Sequence, residues 1–135
     1  MSMRLKDKLQ KKTKALPNGA ASTTSDFLDT EQGSRGDQVA PMELLISAPA
    51  LGATPLPDAK TMKYDVLYSS NSDGSSPTTY AKEVIVQTGA SSAGDDADEA
   101  RVKIPSNGAR YWGVKATGSA SGDASGSSFT VEMVF

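Results

Sequence analysis

The chain has 135 residues, a formal net charge of −2 and neither cysteine nor histidine. Without cysteine it has no disulfide, thiolate nucleophile or iron–sulfur ligand, and without histidine it lacks the usual general base and the commonest transition-metal ligand. We therefore expect a non-enzymatic protein with no catalytic residues, no bound metal and no cofactor. An enzyme is the least favoured of the functional classes considered below.

The composition favours one β-rich domain. Serine, threonine, alanine and glycine supply 58 residues, a bias that suits turns and tight β-packing, and the length allows a single domain with a tail. No apolar run approaches the roughly 20 residues of a membrane-spanning helix, and the basic N-terminus lacks the apolar segment of a signal peptide. We therefore expect a soluble protein without a membrane partner.

Charge divides the chain into two unlike parts. The first 16 residues hold six basic groups against Asp7, a net charge of +5, and the remainder carries −7. The basic residues are Arg4, Lys6, Lys8, Lys11, Lys12 and Lys14. Because Pro17-Asn18-Gly19 is a turn signal, we predict an extended basic N-terminal arm over residues 1–19 and a β-sandwich domain over residues 20–135.

Two interpretations of the arm stay open. Charged segments with few large apolar groups often stay unfolded as tails, whereas clustered lysines also dock on acidic partners or nucleic acid. The arm has too few apolar residues for a stable isolated helix, so we expect a neighbouring subunit to order it. Direct nucleic-acid binding is disfavoured, because the arm lacks aromatic stacking groups and the acidic body repels phosphate.

Period-two alternation of apolar and polar residues predicts most of the strands. In chain order they are residues 26–31, 42–48, 62–69, 82–88, a strand through Val102 and Ile104, 109–117 and 129–135. Residues 20–25 are predicted to be a linker, residues 33–37 a loop, and the proline-rich residues 48–60 a long connection. Seven or eight such strands predict an antiparallel two-sheet sandwich, of immunoglobulin-like or jelly-roll topology.

Two polar clusters offer oxygens to a cation. They are Asp95, Asp96, Asp98 and Glu99, and the set Asn71, Asp73 and Ser75 around Gly74. The first lacks the spacing of a calcium loop, so a solvated hairpin tip is the favoured interpretation. The second is the composition of a turn that bonds its own backbone, and a turn is favoured there as well.

The aromatic residues divide by strand face. Alternation places Tyr64, Tyr68 and Trp112 in the core, whereas Tyr111 faces away from Trp112 and follows Arg110. Tyrosine and arginine are enriched at binding hot spots. We therefore predict Arg110 and Tyr111 to bind a partner.

Residues 101–114 resemble a segment that recurs in small capsid cement, or decoration, proteins of tailed bacteriophages. A strand ends at Pro105, a short turn follows, and Arg110-Tyr111 with a hydrophobic residue opens the next strand. The order of parts is also similar over roughly residues 20–135, from an early short strand to a small-residue loop before a C-terminal apolar strand. The basic arm lies outside the resemblance.

The resemblance implies a jelly-roll subunit that forms a homodimer or homotrimer on the outer surface of an icosahedral capsid. There it would bind the major capsid protein and stabilise the assembled shell by mass action. From the charge of the arm, we expect its basic residues to clamp acidic shell surface. The alternative is a glycan-binding β-sandwich module of a phage fibre or surface adhesin, with Tyr111 and a loop carboxylate in its site.

Overall fold

A computed structural model describes residues 6–30, 42–105, 109–119 and 122–134. These residues form nine strands. The strands are β1 (Lys6–Ala15), β2 (Ser22–Thr24), β3 (Leu28–Asp29), β4 (Glu43–Ala48), β5 (Thr61–Ser69), β6 (Thr78–Thr88), β7 (Asp98–Lys103), β8 (Tyr111–Gly118) and β9 (Ser128–Val134).

The strands make two antiparallel sheets that pack as a β-sandwich, which confirms the predicted all-β fold class. One sheet has four strands in the order β1-β9-β4-β7. The other has five, in the order β2-β8-β5-β6, with β3 also paired to β8. The rings of Tyr64 in β5 and Phe129 in β9 meet edge to face across the two sheets, with centroids 5.7 Å apart.

The alternation patterns located several strands correctly. The strands predicted at residues 42–48, 62–69, 109–117 and 129–135 correspond to β4, β5, β8 and β9. The predicted linker at 20–25 was wrong in part, because Ser22–Thr24 pairs with β8 as β2. The strand predicted at 26–31 is reduced to β3, and the predicted 82–88 strand begins earlier, at Thr78. The loop predicted at 33–37 lies outside the described residues.

The structure does not show an extended arm over residues 6–15. Their backbone is β1, an edge strand that pairs with β9 of the same chain, so no neighbouring subunit is needed to order it. The register shifts between Asp7 and Lys11, and Leu16 after the strand is buried in the core. A charged segment becomes a strand here because β9 supplies the backbone partners and Leu16 anchors the end. Residues 1–5, with Arg4, lie outside the described residues.

The core lies between the sheets and includes Tyr64 and Trp112, as predicted. Tyr68 is half-buried and packs against it. A buried amide also crosses the core: Gln87 in β6 accepts a hydrogen bond from the Tyr64 hydroxyl (2.9 Å) and donates to the carbonyls of Pro49 (2.7 Å) and Asp96 (3.0 Å). Burial raises the pKa of the Tyr64 hydroxyl well above its ordinary value.

The acidic residues at 95–99 do not form the simple hairpin tip that was predicted. Asp98 and Glu99 open β7, where they pair with Ala48 and Ser47 of β4. Asp95 lies before the strand, and its carboxylate accepts a hydrogen bond from the Thr88 backbone N–H at 2.9 Å. The cluster is therefore divided between an edge strand and a loop that it helps to hold.

Candidate functional site: the surface around the β5–β6 turn

The predicted partner-binding residues fall on two elements. Lys6, Lys8, Lys11, Lys12 and Lys14 belong to the edge strand β1, and Arg110 and Tyr111 stand where β8 begins. Lys11 and Lys14 are exposed, whereas Lys12 is half-buried. Lys12 and Lys14 pair in register with the core residues Val131 and Phe129 of β9.

Arg110 is held by the fold and stacks on its neighbour. Its Nε and Nη2 donate to the two carboxylate oxygens of Asp29 at 2.7 and 2.8 Å, a bidentate geometry that fixes the guanidinium plane. The guanidinium carbon lies 5.4 Å from the centroid of the Tyr111 ring. The Arg110 carbonyl also accepts hydrogen bonds from the N–H and hydroxyl of Thr30. Arg110 therefore ties β3 to β8 and orients Tyr111.

The β5–β6 turn, residues 70–77, folds back beside Tyr111. Asp73 accepts a hydrogen bond from the Ser75 N–H at 2.9 Å, and the Gly74 N–H donates to the Asn71 carbonyl at 3.0 Å. The Ser75 carbonyl accepts from the Ser69 hydroxyl and the Asn71 amide. Hydrogen bonds from Ser75 lower the pKa of Asp73 below its ordinary value. This network confirms that the Asn71–Asp73–Ser75 set is a turn that bonds its own backbone.

Phe27 packs against this turn. The chain leaves the sheet between β2 and β3, where the Ser25 hydroxyl accepts a hydrogen bond from the Val114 N–H. Phe27 then lies so close to Gly74 and Gly113 that a Cβ atom on either glycine would meet its ring at 2.6 Å. Gly74 also has a φ of +75°. Glycine is therefore required at this position both by the close approach of Phe27 and by the backbone conformation.

Two cavities border the turn. The first, the Phe27 cavity, has a volume of about 490 Å³ and is lined by residues including Lys12 and Phe27. The second, the Tyr111 cavity, has a volume of about 440 Å³. Its lining residues are Ser70, Asn71, Ser72, Asp73, Ser75 and Tyr111. Ser72 and Asp73 line both cavities.

The structure thus brings together Lys12 and Tyr111, which are far apart in the sequence, around one turn. We call this region, residues 70–77 with Lys12, Phe27 and Tyr111, the turn surface. Phe27 was not foreseen as part of a site, since its position beside Leu28 was interpreted as a strand. The signal that could have indicated it is Gly113, a glycine inside an otherwise regular strand, which marks a close approach.

The turn surface offers hydroxyl, amide and carboxylate groups beside an aromatic ring, a combination suited to binding a polar ligand. Across residues 11–30, 42–105, 109–119 and 122–134, no three acidic side chains come together in a way that could hold a metal ion. Within the described ranges, no helix has the length and apolar character needed to cross a membrane.

No protein-family model matches the chain, and no curated protein sequence matches it significantly.

Proposed function

We propose that the protein is a non-enzymatic capsid cement protein of jelly-roll topology. In this proposal it binds the outer surface of an icosahedral bacteriophage shell and stabilises contacts between major capsid proteins. The observation that carries the topology is the strand order. If β2 and β3 count as one interrupted strand and the strands are renumbered 1 to 8 along the chain, they form two four-stranded sheets in the orders 1-8-3-6 and 2-7-4-5. A jelly roll has eight strands in two sheets, and viral capsid proteins are among those that use it.

The segment that resembles cement proteins has a structural role in keeping with the proposal. It contains the end of β7 and the start of β8, so it connects one sheet to the other. Its Arg110 secures this crossover by pairing with Asp29. Arg110 therefore has a structural role that is independent of any partner.

The strand β1 is the surface that we propose for shell binding. Lys11 and Lys14 are exposed on a sheet edge, in a protein whose remainder is acidic, so they attract an acidic partner surface. Lysines on an edge, especially ones in register with core positions, discourage the addition of another strand. We therefore propose that β1 binds the shell through the charge of its side chains and not by adding a strand. Arg4, Lys6 and Lys8 extend this run of basic residues in the sequence. We also propose that the bound form is a homodimer or homotrimer.

Capsids that lack this protein provide the test. We expect the purified protein to co-sediment with them at a fixed, saturable ratio to the major capsid protein and to raise the capsid melting temperature. Binding only to the assembled lattice is what produces that stabilisation. Absence of saturable binding would refute the cement proposal.

Two triple charge-reversal variants test whether β1 is the binding surface. The variant Lys11→Glu/Lys12→Glu/Lys14→Glu should lose binding, and binding of the unmodified protein should weaken with salt, because about 0.1 M salt screens charges beyond roughly 10 Å. The matched control Lys60→Glu/Lys82→Glu/Lys115→Glu changes the net charge equally on other elements and should bind normally. Equal binding by both variants would remove β1 from the proposed contact.

A further inference from the structure

The Tyr111 cavity is an open depression on the protein surface with a volume of about 440 Å³. Five of its six lining residues are polar, and the sixth is an aromatic ring. We propose that this cavity binds a neutral pyranose unit of a saccharide.

The aromatic wall is fixed in position before any ligand arrives. Tyr111 is half-buried, and the guanidinium stacked on it is held by two hydrogen bonds to Asp29. Aromatic ring faces are electron-rich, and the C–H groups on one face of a pyranose are complementary to them. A ring that is already oriented loses little conformational entropy on binding, which improves affinity.

The polar wall supplies acceptors for sugar hydroxyl groups. The Asp73 carboxylate accepts hydrogen bonds from Ser75 and from its own backbone N–H, and a carboxylate can accept about four in total. The Asn71 amide nitrogen donates to the Ser75 carbonyl, and its amide oxygen is a further acceptor. The turn is braced by its own hydrogen bonds, so these acceptors are also placed in advance.

Charge selects the class of saccharide. The pKa of Asp73 is lowered, so the carboxylate is ionised at neutral pH and accepts hydrogen bonds only. Arg110, whose guanidinium lies 5.4 Å from the centroid of the Tyr111 ring, is paired with Asp29. A sugar carboxylate or sulfate would therefore meet an anion without a compensating charge, and a neutral sugar is favoured.

This inference does not depend on the cement proposal, since it concerns the turn surface and needs no capsid. The test is a nuclear magnetic resonance titration of the full-length protein. The neutral probes are methyl α-glucoside, methyl α-mannoside, methyl β-galactoside and N-acetylglucosamine, and glucuronic acid is the anionic probe. We expect at least one neutral probe to shift the backbone amide signals of Tyr111, Asn71 and Asp73 and to receive saturation transfer from the Tyr111 ring.

Four variants locate the site. Tyr111→Ala should abolish binding, and Tyr111→Phe should retain it. Asp73→Asn should weaken binding about tenfold or more, because a hydrogen bond to a charged acceptor is replaced by one to a neutral acceptor. Asp123→Asn is the matched control. The Asp123 carboxylate accepts a hydrogen bond from the Ser125 N–H at 2.9 Å, as Asp73 does from Ser75, but Asp123 lies after the C-terminal end of β8, away from Tyr111.

Three results would overturn the inference. They are the absence of shifts at Tyr111 with every neutral probe, binding that survives in Tyr111→Ala with its fold intact, and tighter binding of glucuronic acid than of the neutral sugars. A backbone spectrum of each variant that matches the unmodified protein outside residues 69–77 and 109–113 establishes that the fold is intact.

Discussion

Replacing Gln87 by leucine tests the buried hydrogen-bond network at the centre of the sandwich. The Gln87 side chain is 1 % exposed, and Gln87→Leu removes three hydrogen bonds at once. The Tyr64 hydroxyl is fully buried and would lose its acceptor, at a cost of about 1–3 kcal/mol. The two bonds to carbonyls contribute about 0.5–1.5 kcal/mol each. Since the Pro49 and Asp96 residues are partly or fully exposed, water can replace those bonds, and we expect a net loss of about 3 kcal/mol.

A double-mutant cycle separates the Tyr64–Gln87 bond from the rest. Tyr64→Phe alone leaves the Gln87 carbonyl oxygen without its donor, and should cost about 1–3 kcal/mol. In the double variant neither group of this pair is left unsatisfied, so its loss should be about 1–2 kcal/mol less than the sum of the single losses.

Urea unfolding measures each free energy of unfolding, and an unchanged m-value shows that the denatured state is comparable. Val86→Thr on the same strand is the control, because Val86 is 41 % exposed and an exposed substitution changes stability by no more than about 0.5 kcal/mol. A loss below about 1 kcal/mol for Gln87→Leu, or additive losses in the cycle, would contradict the network's proposed contribution.

Three further predictions concern the turn surface. Gly113→Ala should destabilise the protein by about 1–3 kcal/mol in a thermal melt, since its Cβ would meet the Phe27 ring; the loss should shrink in a Phe27→Ala background. Arg110→Lys should shift the Tyr111 ring signals and cost no more than about 1 kcal/mol, because its ion pair with Asp29 is substantially exposed. Asp73 should titrate below the ordinary aspartate pKa. Its contribution to stability is then complete above about pH 4 and is lost as the pH falls through the folded-state pKa, as a carboxyl ¹³C titration would measure.

The sequence predicted strands best where one face is buried and the other is wet. In β5, Met62, Tyr64 and Val66 occupy the buried face that alternation indicated. The same rule could not locate β1, because an edge strand rich in lysine needs only backbone pairing with β9 and has no run of alternating apolar residues. Charge in that segment was read as a sign of an arm, when it is also a property of protected sheet edges.

The strand predicted at residues 82–88 lies within β6, but the sequence did not indicate which side chains of β6 face the core. Its pairing with β5 is interrupted, and Glu83 has a φ of +54° while its N–H donates to the Asp65 carboxylate. Such an irregularity changes which side chains face the core. As a result Ile85 and Gln87 point inward and Val86 is exposed. A polar residue in the core and a valine outside it follow from a tertiary contact that local sequence does not specify.

The candidate site was predictable only in pieces, because it depends on which distant strands become neighbours. Lys12 lines the Phe27 cavity and Tyr111 lines the Tyr111 cavity, and the two cavities share Ser72 and Asp73. A shell surface docked along β1 would therefore contact the first cavity and leave the second open. If both proposals hold, protein bound to capsids should still take up the neutral sugar, with an affinity close to that of free protein. Loss of sugar binding on the capsid would instead indicate that the shell contact extends across the turn and covers Tyr111.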